Sequence, residues 1–261
     1  MKILFLLVLL LLISCLIAID LNLPQSAVHN AANNLNLIYP TASSMSMNPA
    51  ICLPGLETSS TYLFNMEELS KYDLHLVIPL GNCCFHLGDS YLDHEFYSEN
   101  QAVLGINYSS HNLTAGFNVR MLSSQVKGYK DTGSTIFDGG LKWSNSNVSS
   151  ALAVRNITQS EYEGSILPIV YLWESCYQIT KCSRISFGLE KENDFDFSFK
   201  FAGRYDILRQ LSLISSYQFE PNRIGIGAVF NLYKFNLVYS VRTHQYLDLT
   251  HYISLSYEIT H

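Results

Sequence analysis

The 261-residue chain carries 16 Lys and Arg against 22 Asp and Glu, giving a formal net charge of −6 at pH 7. This mild acidity, with no basic stripe to neutralise phosphates, argues against nucleic acid as a partner. Charged residues make up only 15% of the chain and aromatic residues 13%, which is too apolar for a disordered chain and poor in charge for a soluble surface. The balance suits a protein whose outside meets lipid, with Tyr at the water boundary.

The chain begins with an export signal, predicted over residues 1–18. Met1 and Lys2 precede an unbroken apolar run from Ile3 to Ile13, which is the charged start and short hydrophobic core of such a signal. Neither this run nor any later segment reaches the roughly 18 consecutive apolar residues of a spanning helix. Leu12–Cys15 loosely matches a lipoprotein processing box, so lipidation of Cys15 stands as an alternative to its removal with the signal.

Residues 19–56 differ in composition from the rest of the chain. They are rich in Asn, Ala and Ser, show no sustained period, and end in Asn48-Pro49-Ala50 just before the first predicted strand. This pattern predicts an irregular N-terminal plug or hatch-like segment with room for one short helix.

Residues 57–261 repeat segments of about ten residues in which apolar side chains alternate with polar ones, the pattern of β-strands. In the clearest segment Phe195, Phe197, Phe199 and Phe201 share one face. Short connections near 145–147, 192–193 and 231–234 are predicted to alternate with longer ones near 123–133 and 243–250. The segments predict an all-β domain of about 14 antiparallel strands, each near the length of a tilted membrane strand.

Alternation by itself is equally compatible with a soluble β-sandwich. The polar faces carry mainly Ser, Asn, Gln and Gly rather than Lys and Glu, as expected of a packed barrel lumen. The short and long connections also fit the two ends of a membrane barrel. We therefore predict an antiparallel transmembrane β-barrel and keep the sandwich as the alternative.

The C-terminal half resembles the outer-membrane family that includes the long-chain fatty-acid transporter FadL and the PorV and PorQ proteins of the type IX secretion system. The resemblance lies in Phe187–Glu190, Ser216–Pro221, Ile224–Ala228 and Tyr239–Tyr257. In addition, Asn48-Pro49-Ala50 is similar to the tripeptide of the family's hatch segment. The resemblance implies a barrel of about 14 strands with an inserted plug, acting in uptake of hydrophobic molecules or in secretion.

Five Cys follow residue 15, and exported proteins form disulfides. Cys176 and Cys182 flank five residues that read as a turn, which makes them a candidate disulfide across the base of a hairpin. Cys83 and Cys84 are neighbours on opposite faces of an extended chain, and no Cys-x-x-Cys spacing suggests zinc.

No pattern in the chain points firmly to catalysis or to a bound cofactor. One acidic and histidine-rich stretch is better explained as a solvated loop than as a metal site; it comprises His86, Asp89, Asp93, His94 and Glu95. His244, Asp248, His251 and His261 suggest a triad, but no Gly-x-Ser-x-Gly elbow accompanies them. The glycines at 225 and 227 lie within a predicted strand, where they relieve crowding rather than bind a dinucleotide.

These observations predict a bacterial outer-membrane barrel without enzymatic activity, metal or cofactor. Its expected role is transport of hydrophobic molecules or a place in a secretion system. Its expected partners are outer-membrane lipid and either a hydrophobic small molecule or secretion-system proteins. The alternative is a soluble, exported, disulfide-linked β-sandwich for binding or adhesion; a barrel hydrolase, resting on scattered His and Ser, is a third hypothesis.

Overall fold

The computed structural model describes residues 26–66, 68–129, 131–162, 164–193 and 195–259. The predicted export signal, Cys15 and His261 lie outside these residues. Fourteen antiparallel strands form one closed barrel, and pairing of the first with the last completes the ring. A single closed sheet rules out the sandwich and confirms the predicted barrel. The strands of the barrel are β1 Gly55–Tyr62, β2 Ser70–Leu80, β3 Cys83–His94, β4 Tyr97–Ser110, β5 Leu113–Val126, β6 Thr132–Ser144, β7 Val148–Arg155, β10 Val170–Thr180, β11 Ser183–Glu192, β12 Ser198–Leu208, β13 Leu211–Phe219, β14 Arg223–Leu232, β15 Phe235–Arg242 and β16 Thr250–Glu258.

A two-stranded ladder, β8 Glu161–Tyr162 with β9 Ser165–Ile166, lies in the connection from β7 to β10. Residues 156–169 of this connection turn inward at Tyr162 and Leu167. Both side chains are buried against Leu122 of β5 and Ile136 of β6. The connection therefore packs on the inside of the wall beside the end of β7.

The sheet separates apolar and polar side chains as the alternation predicts. Phe187 of β11 lies opposite Phe201 of β12, which lies opposite Tyr217 of β13, and all three point outward. Their neighbours along β11 and β13, Ser186 and Ser216, have small side chains that point into the lumen. The outer face is an almost continuous surface of aromatic and aliphatic residues, whereas the lumen is lined mainly by polar groups.

The two ends of the barrel differ in the length of their connections. At one end the chain enters at Gly55 and leaves at Glu258, and each connection described there spans two or three residues. Longer connections at the other end include 127–131, 156–169 and 243–249. The predicted tight turns near 145–147 and 231–234 and the longer loops near 123–133 and 243–250 are confirmed.

The predicted tight turn at 192–193 is wrong. Pairing between β11 and β12 ends with Glu190 opposite Ser198, so the alternating residues 195 and 197 belong to a five-residue connection at the end with the longer loops. The ammonium nitrogen of Lys191 lies over the ring of Phe197, 5.4 Å from the ring centroid. Aromatic residues at a barrel rim therefore continued the strand pattern past the last paired residue.

The N-terminal segment fills the lumen. Residues 26–54 contain two short helices, α1 Ala27–Ala31 and α2 Ser44–Met47, where one had been predicted. From residue 26 to 51 all side chains are buried except those of Asn34 and Pro40, which are half-buried. A short 3-10 turn, Leu63–Asn65, follows β1. None of the helices in the described residues is long and apolar enough to cross a membrane.

Candidate functional site

The interface between this plug (residues 26–54) and the inner wall is the candidate functional site, and the predicted tripeptide lies at its centre. Asn48 folds its side chain back so that Oδ1 accepts from the backbone N of Ala50 at 3.0 Å. Its Nδ2 donates to the carbonyl of Leu152 on β7 at 3.2 Å. The carbonyl of Pro49 accepts from Nδ2 of Asn107 on β4 at 3.1 Å. The tripeptide thus connects two separate stretches of the wall.

Two glycines of the wall make room for the tripeptide. A Cβ added to Gly116 would overlap the backbone carbonyl of Pro49, and one added to Gly140 would overlap Oδ1 of the Asn48 side chain. A larger residue at Gly116 would therefore push the backbone of the tripeptide away from the wall. A larger residue at Gly140 would displace the side chain of Asn48 from its present position.

The first helix of the plug rests on the opposite side of the lumen, against a row of serines. The backbone N of Ala27 donates to Oγ of Ser254 at 2.7 Å, and Nδ2 of Asn30 donates to Oγ of Ser240 at 3.0 Å. Oγ of Ser216 donates to the carbonyl of Ala31 at 2.5 Å. Small hydroxyl side chains allow the helix to lie close while satisfying its polar groups.

Glycines again permit this approach. A Cβ at Gly225 would lie 2.5 Å from the carbonyl oxygen of Ala31, and one at Gly227 would lie 2.7 Å from its Cβ. Both positions were expected to relieve crowding in the wall, and the structure confirms this. The crowding comes from the plug.

A buried ion pair within the wall contacts the plug on the side of the barrel that receives the tripeptide. The guanidinium of Arg120 on β5 donates to Asp138 on β6 and to the carbonyl of Ser46 in α2. Asp138 also accepts from the backbone N of Asn156 at 3.0 Å, and the Asn156 amide donates to the carbonyl of Leu167 at 2.7 Å. Both charged side chains are fully buried. The network therefore links the plug, two strands and the connection after β7.

The middle of the plug is held by polar groups from further strands. The carboxylate of Glu174 on β10 accepts from the backbone N of Leu37 at 3.0 Å. The hydroxyl of Tyr39 donates to Asn231 at 3.0 Å, and its ring lies 4.4 Å from the guanidinium carbon of Arg204. Burial raises the pKa of Tyr39 to about 12, so this hydroxyl stays protonated and able to donate.

A pair of stacked histidines faces the plug from the wall. Nδ1 of His75 on β2 lies 3.1 Å from Nε2 of His86 on β3, with ring centroids 5.3 Å apart. A Cβ at Gly88 would lie 2.6 Å from Nδ1 of His75, so a larger residue there would force the His75 ring to move. Within the described residues, no group of three or more His, Cys, Asp and Glu side chains could hold a metal ion.

A third buried histidine belongs to the plug itself. Nε2 of His29 in α1 lies 3.2 Å from Oγ of Ser44, the first residue of α2. Burial lowers the pKa of His29 to about 3, and the positive charge of Lys71 acts in the same direction. His29 is therefore a neutral imidazole that connects the two helices of the plug.

The candidate disulfide between Cys176 and Cys182 is not formed. The turn lies at residues 181–182, so Cys182 is in the turn itself, whereas Cys176 pairs with Ser186 further along the hairpin. Residues that are four positions apart along a strand are already separated by about 13 Å, which is beyond the reach of a disulfide. Both thiols are free, that of Cys176 in a buried residue and that of Cys182 in an exposed one.

The other residues considered for chemistry are not brought together. His86 points into the lumen, whereas Asp89 and Asp93 of the same strand are exposed; the stretch is mostly strand, not the predicted loop. Nδ1 of His251 lies 2.9 Å from the hydroxyl of Tyr239 on the outer face. His244 lies in the connection between β15 and β16, and its ring packs against the ring of Phe64.

A small cavity lies between the plug and the wall beside β10 and β11. It has a volume of about 20 Å³ and is lined by residues that include Asn36, Asn48, Glu174 and Lys200. Such a volume holds about one water molecule. Beside β10 and β11 the plug therefore leaves room for little more than one water molecule.

Solved structures with the same architecture include two channels. The chain aligns with the CymD monoaromatic hydrocarbon channel at a TM-score of 0.70 and 9% identity, covering 94% of this chain and 100% of that one. It aligns with the deltaS2S3 mutant of the TodX monoaromatic hydrocarbon channel at a TM-score of 0.70 and 10% identity, covering 90% and 99%. The likeness is one of fold. Neither a family model nor a curated protein matches the sequence.

Proposed function

We propose that the protein is a bacterial outer-membrane barrel that provides a gated route for small hydrophobic molecules, with the plug as its gate. The observation that carries the proposal is the combination of an apolar outer face with a lumen closed by the chain's own N-terminal segment. Side chains such as Phe201 and Ile226 are about half exposed around the wall, as lipid contact requires. Lipid is therefore the first partner of the barrel.

The plug is suited to gating because many separate polar contacts hold it. Each hydrogen bond from Ser, Asn or Arg of the wall contributes about 0.5–1.5 kcal/mol net. Releasing one stretch of the plug breaks a few such bonds, whereas the closed ladder of the wall stays intact. The two similar channels are described as carrying monoaromatic hydrocarbons, which supports this class of cargo.

Flux measurements test this function. The full chain is reconstituted into liposomes, and entry of a radiolabelled monoaromatic hydrocarbon into an enclosed acceptor is compared with entry into protein-free liposomes. We expect faster entry with the protein, and faster still with Gly140→Leu, which displaces Asn48. Equal entry in all three preparations would contradict the proposal.

A non-conducting barrel associated with a secretion system is the second candidate, and the closed lumen favours it. In that case the flux assay shows no difference between empty liposomes and liposomes with either the wild-type protein or Gly140→Leu. Crosslinking in intact outer membranes would instead capture exported or periplasmic proteins on the connections at the rims. Flux without any such crosslinked partner would exclude this candidate.

A further inference from the structure

Two cysteines that are distant in sequence meet at the C-terminal end of the plug. Cys52 lies two residues after Ala50 and three residues before β1, and Cys84 is the second residue of β3. Their sulfur atoms are 3.2 Å apart. The two positions are separated by 32 residues in the chain, so the contact joins the plug to the wall.

The surroundings hold the two thiols in this arrangement. Both side chains pack against a buried apolar cluster of Ala42, Met45 and Val77, which contains plug and wall residues together. The amide of Asn107 holds the carbonyl of Pro49, and its Oδ1 lies 3.9 Å from Sγ of Cys52. The approach of the sulfurs thus follows from how the tripeptide is seated.

The alternation of β3 selects Cys84 rather than its neighbour. His86 of this strand is buried in the lumen, so Cys84, two residues earlier, faces the same side and Cys83 faces outward. A disulfide has an S–S bond of about 2.05 Å, so the sulfur atoms, 3.2 Å apart, need to move about 1 Å closer to form one. The hydrogen bond between the thiols also lowers the pKa of Cys52, which favours the nucleophilic thiolate.

We propose that Cys52 and Cys84 form a disulfide that fastens the end of the plug to β3; this inference rests on the export that the proposed function requires. The oxidant is the disulfide of a periplasmic thiol–disulfide oxidoreductase. The thiolate of one cysteine attacks that disulfide to form a mixed disulfide, and the second thiolate then displaces the oxidoreductase. The two cysteines lose two electrons and two protons, and the oxidoreductase leaves as a dithiol.

The bond divides the plug into a fixed and a releasable part. Residues between Cys52 and β1 are tied at both ends, whereas the stretch from α1 to the tripeptide is held only by non-covalent contacts. Gating movements are therefore confined to residues ahead of Cys52, and residues 52–54 stay beside β3 while the bond is intact.

Counting thiols in the full-length protein tests the proposal. Cells are quenched in acid, the protein is denatured with a small alkylating agent, and thiols released by reduction are labelled with a maleimide polymer and counted on a gel. We expect two released thiols in the wild type, none in Cys52→Ser and none in Cys84→Ser. Cys83→Ser is the matched control from the outward face and should still release two.

Peptide mapping identifies the bond directly. Cleavage after Lys71 separates the peptide carrying Cys52 from the one carrying Cys83 and Cys84. In unreduced Cys83→Ser protein, we expect these two peptides to be linked. No released thiol in wild-type protein, or a bond that persists in Cys84→Ser, would overturn the proposal. Membrane fractionation of the same samples reports separately on the barrel, so an outer-membrane protein with both thiols free contradicts the disulfide alone.

Discussion

Gly116 on β5 lies directly opposite Gly140 on β6, and this glycine pair forms the recess that receives Asn48 and Pro49 of the plug. Neither glycine sits in a turn. Each occupies a strand interior, where glycine weakens a sheet unless another backbone must approach closely. The two glycines together indicate that the wall is shaped to hold the plug, so changes at this recess should affect the docking of the plug before they affect the barrel.

Filling the recess should displace the plug. In Gly116→Val the new side chain would meet Pro49, and we expect a loss of about 1–3 kcal/mol of plug docking free energy. Limited proteolysis of the plug in detergent should become faster, while the barrel keeps its compact form on a semi-native gel. Gly203→Ala is the control, since a Cβ at Gly203 meets nothing within 4 Å. Equal proteolysis rates in the two variants would show that the recess is not needed.

Breaking the buried ion pair should weaken the attachment of α2. Arg120→Met leaves Asp138 buried without its partner, which typically costs about 3–5 kcal/mol. Replacing both, as Arg120→Met with Asp138→Leu, should recover part of this loss because no uncompensated charge remains. The midpoint of thermal unfolding on semi-native gels measures both effects. A single variant as stable as the double variant would contradict the role of the pair.

Acidification should loosen the plug through His29. Its pKa is about 3 in the folded chain and near 6.5 when exposed, so the released plug binds a proton that the docked plug excludes. Docking is therefore fully stabilised above pH 6.5 and weakens by about 1.4 kcal/mol per unit as the pH falls from there toward 3. Proteolysis rates of the plug between pH 7 and 4 measure this slope. His29→Gln should flatten it by that amount; an unchanged slope would assign it to other buried groups.

A charge on the outer face should oppose insertion. Ile226 points outward from β14 and is about half exposed. Ile226→Arg should cost about 2–4 kcal/mol near the middle of the bilayer. Tyr246→Arg, on the connection between β15 and β16, should have little effect. Folding efficiency into lipid vesicles, read as the fraction of compact protein, distinguishes them, and equal yields would place Ile226 outside lipid.

The barrel could be predicted from the sequence because each strand shows the alternation of apolar and polar residues by itself. The alternation of Phe199 and Phe201 with Lys200 and Ala202 requires no knowledge of distant residues. The plug was readable only as a departure from that pattern, together with Asn48-Pro49-Ala50. The wall residues that contact the plug could not be predicted. Gly116, Gly140 and the serine row can be recognised as its partners only when the register of the strands is known.

Which cysteines lie close together in the fold could also not be predicted from the sequence. Cys176 and Cys182 are close in sequence, and a turn placed between them suggested a bond that the true turn position forbids. Cys52 and Cys84 are distant in sequence and are brought together by the seating of the plug. Proximity along the chain was therefore the wrong guide to which cysteines lie close together. The alternation of β3 can be recognised in the sequence, but it identifies only which of two adjacent cysteines faces inward.

Heat modifiability of the full-length protein in outer-membrane fractions tests most directly whether the chain forms a β-barrel in the outer membrane. Samples are run unboiled and boiled on a semi-native gel after separation of outer-membrane, inner-membrane and soluble material. We expect a compact, faster-migrating band in the unboiled outer-membrane fraction that shifts to the unfolded position on boiling. A protein recovered in the soluble fraction, with no shift on boiling, would contradict it.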